Sequence, residues 1–225
     1  MNVRRLVSVL VASFVFVVAF ASSAGAGEVR MAFIRAREDE RGVFHGTLFV
    51  RTIGGAEQQI TPDALNAGGP AWSPDGTKIG FNVWTFVDGR SFDIIHLANL
   101  VTGEVRSLDI EGVAVALSND LVTFNFMRGN TSWIGVAQHD GMARVDVAPG
   151  RVSSFSPDGS HVVFTNLSDG IDGARIDRSS VRTIVPNQAY LSRPVFVDQD
   201  RIAYTAYRGA IGREIVQLFV HDLRT

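Results

Sequence analysis

A repeat with a period near 40 residues constrains the fold of this chain more than any other feature. Two strong copies place Trp-Ser-Pro-Asp-Gly or Phe-Ser-Pro-Asp-Gly before a short apolar run that ends in phenylalanine, at 72–81 and 155–164. Two weaker copies lie at 117–124 and 196–204. The copies end on four residues, here called the anchor aromatics, which stand 43, 40 and 40 residues apart: Phe81, Phe124, Phe164 and Tyr204. A period of about 40–45 residues with strand-forming sequence inside it predicts a β-propeller.

The turn inside each strong copy contains the residues that a tight hairpin needs. In Ser-Pro-Asp-Gly, proline presets φ at about −65° in the second position, and glycine supplies a positive φ in the fourth. A type I turn closed by a left-handed glycine joins two antiparallel strands tightly. The weaker copy at 119–121 has neither proline nor glycine, so we expect that hairpin to turn differently.

Each repeat unit contains four predicted strands. Complete units begin at Ala71, Val113 and Val152, whereas the unit that starts at Val29 lacks its first strand and the unit that starts at Arg193 has only three. The sum is 18 strands in about five blades, and we expect six blades in all. The predicted fold class is therefore all-β, a propeller of four-stranded antiparallel blades.

Two further expectations concern the last units. The third strand of the unit that starts at Val152 is predicted at 174–177. Thr225 aligns with Thr102, the residue before the turn Gly103-Glu104 of the first complete unit. Because the chain stops one residue before an equivalent turn, we expect it to be an incomplete polypeptide.

The N-terminus has the pattern of an export signal. Arg4 and Arg5 precede an uncharged apolar stretch of 16 residues at 6–21, and Ala-Gly-Ala at 24–26 provides a small-residue cleavage site. Sixteen residues are short for a spanning helix, which needs about 20. We expect residues 1–26 to be removed as a signal peptide; an uncleaved membrane anchor is the alternative. With the signal peptide removed, a periplasmic or secreted location is predicted, with no membrane span after cleavage.

The remaining segment, 27–225, is predicted to be the propeller domain, and its composition limits its partners. The whole chain has 46% hydrophobic and 20% charged residues, a net charge of −2 and no basic run. These values indicate a globular core and argue against a nucleic-acid platform. The chain has no cysteine, so it forms no disulfide bond and carries no lipid on an N-terminal cysteine.

Repeated Trp-Ser-Pro-Asp-Gly-x-x-Ile-x-Phe, followed by an Ile/Val-rich strand and the Thr-Gly-Glu turn at 102–104, resembles the TolB-type β-propeller repeat. The resemblance covers about residues 28–225 and implies a propeller, usually of six or seven blades. The family includes an envelope protein that binds other envelope proteins, the propellers of prolyl-oligopeptidase-type serine peptidases, and some sugar-degrading lyases. TolB itself has an extra domain before its propeller, whereas here the propeller is predicted to begin directly after the signal, so we expect a TolB-like protein other than TolB. The family's Ser-Pro-Asp-Gly residues form turns, so the resemblance implies no functional residue.

Motifs of catalysis are absent from the sequence. It contains no Gly-x-Ser-x-Gly, no His-Glu-x-x-His and no phosphate-binding glycine loop. The five histidines do not cluster in sequence: His45, His96, His139, His161 and His221. They could in principle converge on the central channel, but ordinary strand or turn positions are the preferred interpretation. We therefore assign no catalytic, metal or cofactor-binding residue, and the residues that contact a partner stay open.

Three other groups could serve binding. Asp169 and Asp172 lie in a glycine-rich loop and could offer oxygens to calcium, although Asp-Gly pairs are first of all hairpin turns. Among the tryptophans, Trp72 belongs to the repeat motif and is expected in the core, whereas Trp84 is expected to be partly exposed near a loop. The charged run at 35–41 is expected to be a solvated hairpin tip.

Three functional hypotheses remain open. The first is an exported, non-catalytic propeller that binds a protein or peptide in the cell envelope, since propellers present many loops at one mouth. The second is the propeller of an exported prolyl-oligopeptidase-type peptidase whose catalytic domain follows Thr225. The third is a carbohydrate-processing propeller. No cofactor is expected, and the oligomeric state is not predicted.

Overall fold

The computed structural model describes residues 14–22, 29–39, 44–187, 193–208 and 215–224. These residues form nineteen strands and one short 3₁₀ helix at Asp63–Leu65. The strands are β1 (Phe14–Ser22), β2 (Val29–Glu38), β3 (Phe44–Thr52), β4 (Glu57–Gln59), β5 (Ala67–Trp72), β6 (Lys78–Val87), β7 (Arg90–Asn99), β8 (Val105–Glu111), β9 (Val113–Leu117), β10 (Leu121–Arg128), β11 (Thr131–Gln138), β12 (Val145–Pro149), β13 (Arg151–Phe155), β14 (His161–Thr165), β15 (Ile171–Arg175), β16 (Val181–Val185), β17 (Val195–Phe196), β18 (Arg201–Arg208) and β19 (Ile215–Asp222).

The strands form five antiparallel sheets, each a simple meander in chain order. Blades one to four contain β1–β4, β5–β8, β9–β12 and β13–β16, and blade five contains β17–β19. The first strands of consecutive blades pack against one another at all four junctions, which places them around the propeller axis. The predicted fold class, an all-β propeller of four-stranded blades with about five present, is confirmed.

A hydrophobic core fills each junction between blades. The anchor aromatics lie at the centres of these cores: Phe81, Phe124 and Phe164 are completely buried, and Tyr204 nearly so. Each belongs to a cluster that joins the second strand of its blade to the preceding blade. The repeat period thus reflects one buried aromatic for each junction between blades, because each blade covers its apolar faces only against its neighbours.

Both strong Ser-Pro-Asp-Gly turns form as predicted. Gly76 has φ +67° and Gly159 has φ +72°. In the first turn Ser73 Oγ donates to Asp75 Oδ1 at 2.6 Å, and the second turn has the same bond at the same length. At the weak copy the backbone N–H of Ser118 donates to the carbonyl oxygen of Leu121 at 2.9 Å, so the loop is shorter. That hairpin does turn differently, as expected.

Two predicted strand assignments were wrong. The first strand of blade one is present as β1, which pairs with β2 from Phe14↔Ala36 to Ser22↔Val29, so there are nineteen strands rather than eighteen. The aromatic and β-branched run predicted as the core of a leader also suits a strand. In blade four the third strand is β15 rather than 174–177. The side chain of Asn166 accepts bonds from the N–H groups of Ser168 and Gly170, both at 2.9 Å, and closes the turn early.

Candidate functional site

The hairpins between second and third strands gather at one end of the propeller, because alternate connections of a meander lie at opposite ends of its strands. At this end blade two carries Trp84, Phe86 and Val87, which are exposed and are here called the hairpin rim. The rings of Trp84 and Phe86 stack with centroids 6.4 Å apart. The exposure expected of Trp84 is confirmed, and Phe86 is 63% exposed.

A cleft of about 520 Å³, here called the blade two–three cleft, opens between these two blades. Blade two contributes Phe92, Asp93 and Glu111 to it, and blade three contributes chiefly Val113, Phe126, Met127, Arg128, Arg144 and Asp146. Met127 is exposed beside it. The cleft therefore combines aromatic and aliphatic walls with charges of both signs.

Two arginines of this cleft are held in fixed orientations. The Cζ of Arg128 lies 4.3 Å from the ring centroid of Trp133. The Cζ of Arg144 lies 4.2 Å from the ring centroid of Phe126. Asp146 pairs with both guanidinium groups, with Arg144 Nε at 3.2 Å. Rings pack against the guanidinium groups while one carboxylate pairs with both of them, and each guanidinium has further N–H groups that can donate hydrogen bonds.

Four of the five histidines have local partners of their own. Nδ1 of His96 donates to the carbonyl oxygen of Ile94 at 3.1 Å. Nε2 of His139 donates to that of Leu121 at 3.0 Å, and burial, followed by the charge of Lys78, lowers the pKa of this histidine. The five histidines lie in five different blades. Within the described ranges, no group of three or more His, Cys, Asp or Glu side chains could hold a metal ion.

His45 has polar side-chain partners at both ring nitrogens. Its Nδ1 lies 2.8 Å from Asn66 Oδ1 and its Nε2 lies 3.1 Å from Asp39 Oδ2. The hydrogen bond to Asp39, followed by that to Asn66, raises the pKa of His45. It lines a cleft of about 450 Å³ in blade one together with Arg35, Arg37 and Asp63, among others.

A serine, a histidine and a carboxylate meet in blade four, although not in the order of a nucleophilic triad. Ser160 Oγ lies 2.7 Å from Nδ1 of His161 and 2.8 Å from Oδ2 of Asp158. In a triad the carboxylate orients the histidine, whereas here it contacts the serine itself. Bonds from Ser156 and then Ser160 hold the pKa of Asp158 well below its usual range. In the first Ser-Pro-Asp-Gly turn, Thr77 Oγ1 donates to Asp75 Oδ1 at 2.9 Å, as Ser160 donates to Asp158 in the second. The bond between Ser160 and Asp158 therefore belongs to the repeated turn.

The other candidates from the sequence are also placed. Asp169 pairs with Arg151 at 3.6 Å, whereas Asp172 accepts a hydrogen bond from Asn166 Nδ2 at 2.8 Å, so the two carboxylates have different partners. Trp72 is buried, as expected. The run 35–41 is only partly a hairpin tip: β2 continues to Glu38, and residues 40–43 lie outside the described residues.

Arg35 shows why part of that run is not simply solvated. Its Cζ lies 4.4 Å from the ring centroid of Phe49, and its guanidinium pairs with Glu57 at 2.9 Å. The sequence did not single out the Arg128–Arg144–Asp146 cluster or the blade two–three cleft. The only signal for them is the row of arginines and aromatics at the ends of two predicted hairpins.

Solved structures of other proteins share this fold. TolB from Acinetobacter baumannii superposes with a TM-score of 0.63 at 17% identity, over 92% of this chain and 52% of that one. A putative TolB from Agrobacterium tumefaciens gives 0.68 at 18% identity, over 92% and 80%. The propeller domain of the Trilobed protease from Pyrococcus furiosus, described as having an open velcro topology, gives 0.64 at 13% identity, over 94% and 69%.

These likenesses show a TolB-like β-propeller fold. At these identities the chain is not TolB itself, and it spans about half the length of the Acinetobacter protein. No protein-family model matches the sequence, and no curated protein matches it either. In the part of the chain that the structure describes, no helix is long and apolar enough to cross a membrane.

Proposed function

We propose that this protein is an exported, non-catalytic β-propeller that binds a protein or peptide partner in the cell envelope. The observation that carries the proposal is the end of blades two and three, where the exposed hairpin rim stands at the same end as the blade two–three cleft. Large aromatic side chains that lose their water on contact supply most of the binding energy at protein interfaces. Export rests on the predicted leader at 1–26.

The mixed charges that line the cleft favour a peptide-like ligand over a ligand whose charges all have the same sign. Arg128 and Arg144 offer hydrogen-bond donors, while Glu111 and Asp93 offer acceptors. A polypeptide carries both donors and acceptors along its backbone, with apolar side chains between them. In this binding mode an apolar side chain of the partner enters the cleft, and the hairpin rim packs on the partner residues next to it.

The test is capture of a partner from an envelope extract by immobilised protein, followed by affinity measurement with the purified partner. The double variant Trp84→Ala/Phe86→Ala should weaken binding by about tenfold or more, which corresponds to about 1.4 kcal/mol. Val101→Ala is the matched control, because Val101 is equally an exposed apolar residue but lies in the β7–β8 turn at the other end of blade two. Loss of binding in the control alone would contradict the proposed surface.

The non-catalytic part of the proposal has its own test. Purified protein should not hydrolyse peptide, ester or glycoside substrates. Acyl transfer needs a nucleophile whose base is oriented by a third group, and Asp158 contacts Ser160 rather than His161. Glycoside cleavage needs two carboxylates that flank one bond. Turnover that Asp169→Ala or the histidine-to-alanine variants abolish would overturn the binding hypothesis.

A second candidate function is the propeller of a peptidase. The observation that favours it is the likeness to the propeller domain of the Trilobed protease. A serine-hydrolase probe applied to the protein in extracts of its source cells distinguishes the two functions. Labelling of a polypeptide that contains this chain would favour the peptidase, and its absence would favour the binding module.

A further inference from the structure

The outer face of blade five, turned away from blade four, is apolar and exposed. Along β19 the alternate residues Val216, Leu218 and Val220 are all exposed, and Leu218 is 71% exposed. On the opposite face of the same strand, Phe219 packs against the core cluster shared by blades four and five. Blade five therefore has one covered face and one open face.

The positions equivalent to Leu218 and, where apolar, to Val220 are buried in the other blades. The second-strand aromatic of each blade pairs with one residue of the third strand, as Tyr204 pairs with Phe219. In every blade the residue before that partner occupies the position of Leu218. In blades one to four these residues are 0% exposed: Leu48, Ile95, Ile134 and Ile171. The residues that occupy the position of Val220 in blades one to three are Val50, Leu97 and Val136, and all three are buried.

The covering element is the same at every junction. Ile95 and Leu97 of blade two lie in one core cluster with Val122 and Phe124 of blade three. At the other junctions the second strand of the next blade likewise contributes an aliphatic residue and, two positions later, an aromatic residue. These pairs are Ile79 and Phe81 over Leu48, Val162 and Phe164 over Ile134, and Ile202 and Tyr204 over Ile171. Blade five thus has the sequence of an internal junction, whereas a terminal repeat needs a polar outer face.

We propose that the outer face of blade five is the docking surface for one further four-stranded blade, whose second strand lays an aliphatic and an aromatic side chain on Leu218. Continuity with the four existing junctions carries this inference. It does not rest on the proposed function. A single added strand would pair with the edge of β19 in the plane of the sheet and leave Leu218 open. The open face of a second copy is aliphatic at Leu218 and Val220, whereas at each of the four existing junctions an aromatic of the next blade lies in the cluster that covers the equivalent of Leu218.

The end of the described chain makes a direct test possible. The backbone N–H of Arg224 donates to Asp222 Oδ1 at 2.9 Å, as that of Val101 donates to Asn99 Oδ1 at 2.9 Å. The two turns therefore begin with the same contact. A copy of residues 103–149, added after Thr225, should continue in register as a fourth strand followed by a blade that contains Val122 and Phe124.

The experiment compares three proteins: the full chain, the chain extended by 103–111, which adds only a fourth strand, and the chain extended by 103–149. Each carries Leu218→Cys, and because the chain has no cysteine this is the only thiol. The rate of maleimide labelling should fall at least about tenfold in the blade extension alone. Val101→Cys is the matched control and should label fast in all three proteins.

Unfolding gives the second measurement. Relative to the strand extension, the blade extension should raise the melting temperature by about 5 °C or more, and Leu218→Asp should remove that gain. Equal labelling of Leu218→Cys in the two extensions would overturn the proposal. Protection already present in the strand extension, or protection of the full chain that grows with its concentration, would also overturn it, in favour of a single strand or a second copy.

Discussion

Single glycines decide how closely the aromatic residues of the cores can pack. Gly135 lies directly opposite Phe124 in the pair of β10 and β11. A Cβ at Gly135 would stand 2.4 Å from Cζ of Phe124 and 2.5 Å from its Cε2. The ring is completely buried, so it cannot swing away. Only a residue without a side chain fits beneath this ring, and the repeat pattern gives no indication of that requirement.

The variant Gly135→Ala should lower the free energy of unfolding by about 1–3 kcal/mol through overpacking. Chemical denaturation measures the change. Gly68→Ala is the matched control, because the nearest atom to its Cβ would be Asn82 Nδ2 at an ordinary 3.4 Å. Equal effects of the two substitutions would show that the contact with Phe124 is not the cause.

His139 gives the protein a pH dependence. Burial, then the nearby Lys78, lowers the pKa of this histidine in the folded state. The unfolded chain therefore binds a proton first as the pH falls below about 6.5, and unfolding becomes easier. The contribution of His139 to the free energy of unfolding is therefore fully present above about pH 6.5. It is lost progressively as the pH falls from there to the pKa of His139 in the folded protein.

Urea unfolding at pH 7.5 and pH 5.5 tests this expectation. The variant His139→Gln keeps a donor for the carbonyl oxygen of Leu121 but cannot take up a proton, so its stability should fall less between the two pH values than that of the parent. Asp120 and Arg106 also act on this histidine, with opposite signs. An identical pH dependence in both proteins would contradict the assignment.

At the scale of elements, basic side chains of one blade donate hydrogen bonds to the backbone of the next blade, and each such contact is here called a clasp. Arg30 Nη2 donates to the carbonyl oxygen of Gly76 at 2.7 Å. Lys78 Nζ donates to that of Asn119 at 2.9 Å. Both donors stand three residues before the second-strand aromatic of their blade, and both acceptors lie in the first hairpin of the next blade. The contact is thus present at the first two of the four junctions, whereas Leu121 and His161 occupy the equivalent positions in blades three and four.

The variant Lys78→Met should lower the free energy of unfolding by about 1 kcal/mol, because it removes one hydrogen bond and keeps most of the side-chain stem. Lys78→Arg, which has the cation found at Arg30, should lose less. Thermal or chemical unfolding of the three proteins provides the comparison. A larger loss in the arginine variant than in the methionine variant would rule out the clasp as the source of the stability.

At the scale of the whole molecule, one segment has two predicted roles. Residues 14–22 belong to the apolar part of the predicted signal peptide, and they also form β1 against β2. Cleavage after Ala26 would remove β1 and uncover an edge of blade one. Export and completion of blade one therefore compete for the same residues.

We expect the exported protein to begin at Gly27, which intact-mass measurement determines. The protein that starts at Gly27 should then melt at a lower temperature than the chain that keeps residues 1–26, because an open strand edge replaces the β1–β2 pairing. A mature protein that retains Met1 in a membrane fraction would favour the anchor instead.

The sequence by itself determined the fold and the spacing of the blades. Proline and glycine in the Ser-Pro-Asp-Gly turns act through local φ preferences, and an aromatic such as Phe164 is needed once in each blade. Both signals are short-range and repeat with a fixed period, so they can be read without neighbours.

Only the tertiary structure decided which faces the blades leave open. Leu218 has the same chemistry as Ile95, yet one is exposed and the other buried, because burial depends on whether a further blade packs there. Asp146 pairs with both Arg128 and Arg144, and its contact with Arg128 forms because β10 and β12 lie on either side of β11 in the folded sheet. The candidate site could not be predicted because it depends on contacts between strands that are distant in sequence, whereas hairpin turns depend on adjacent residues.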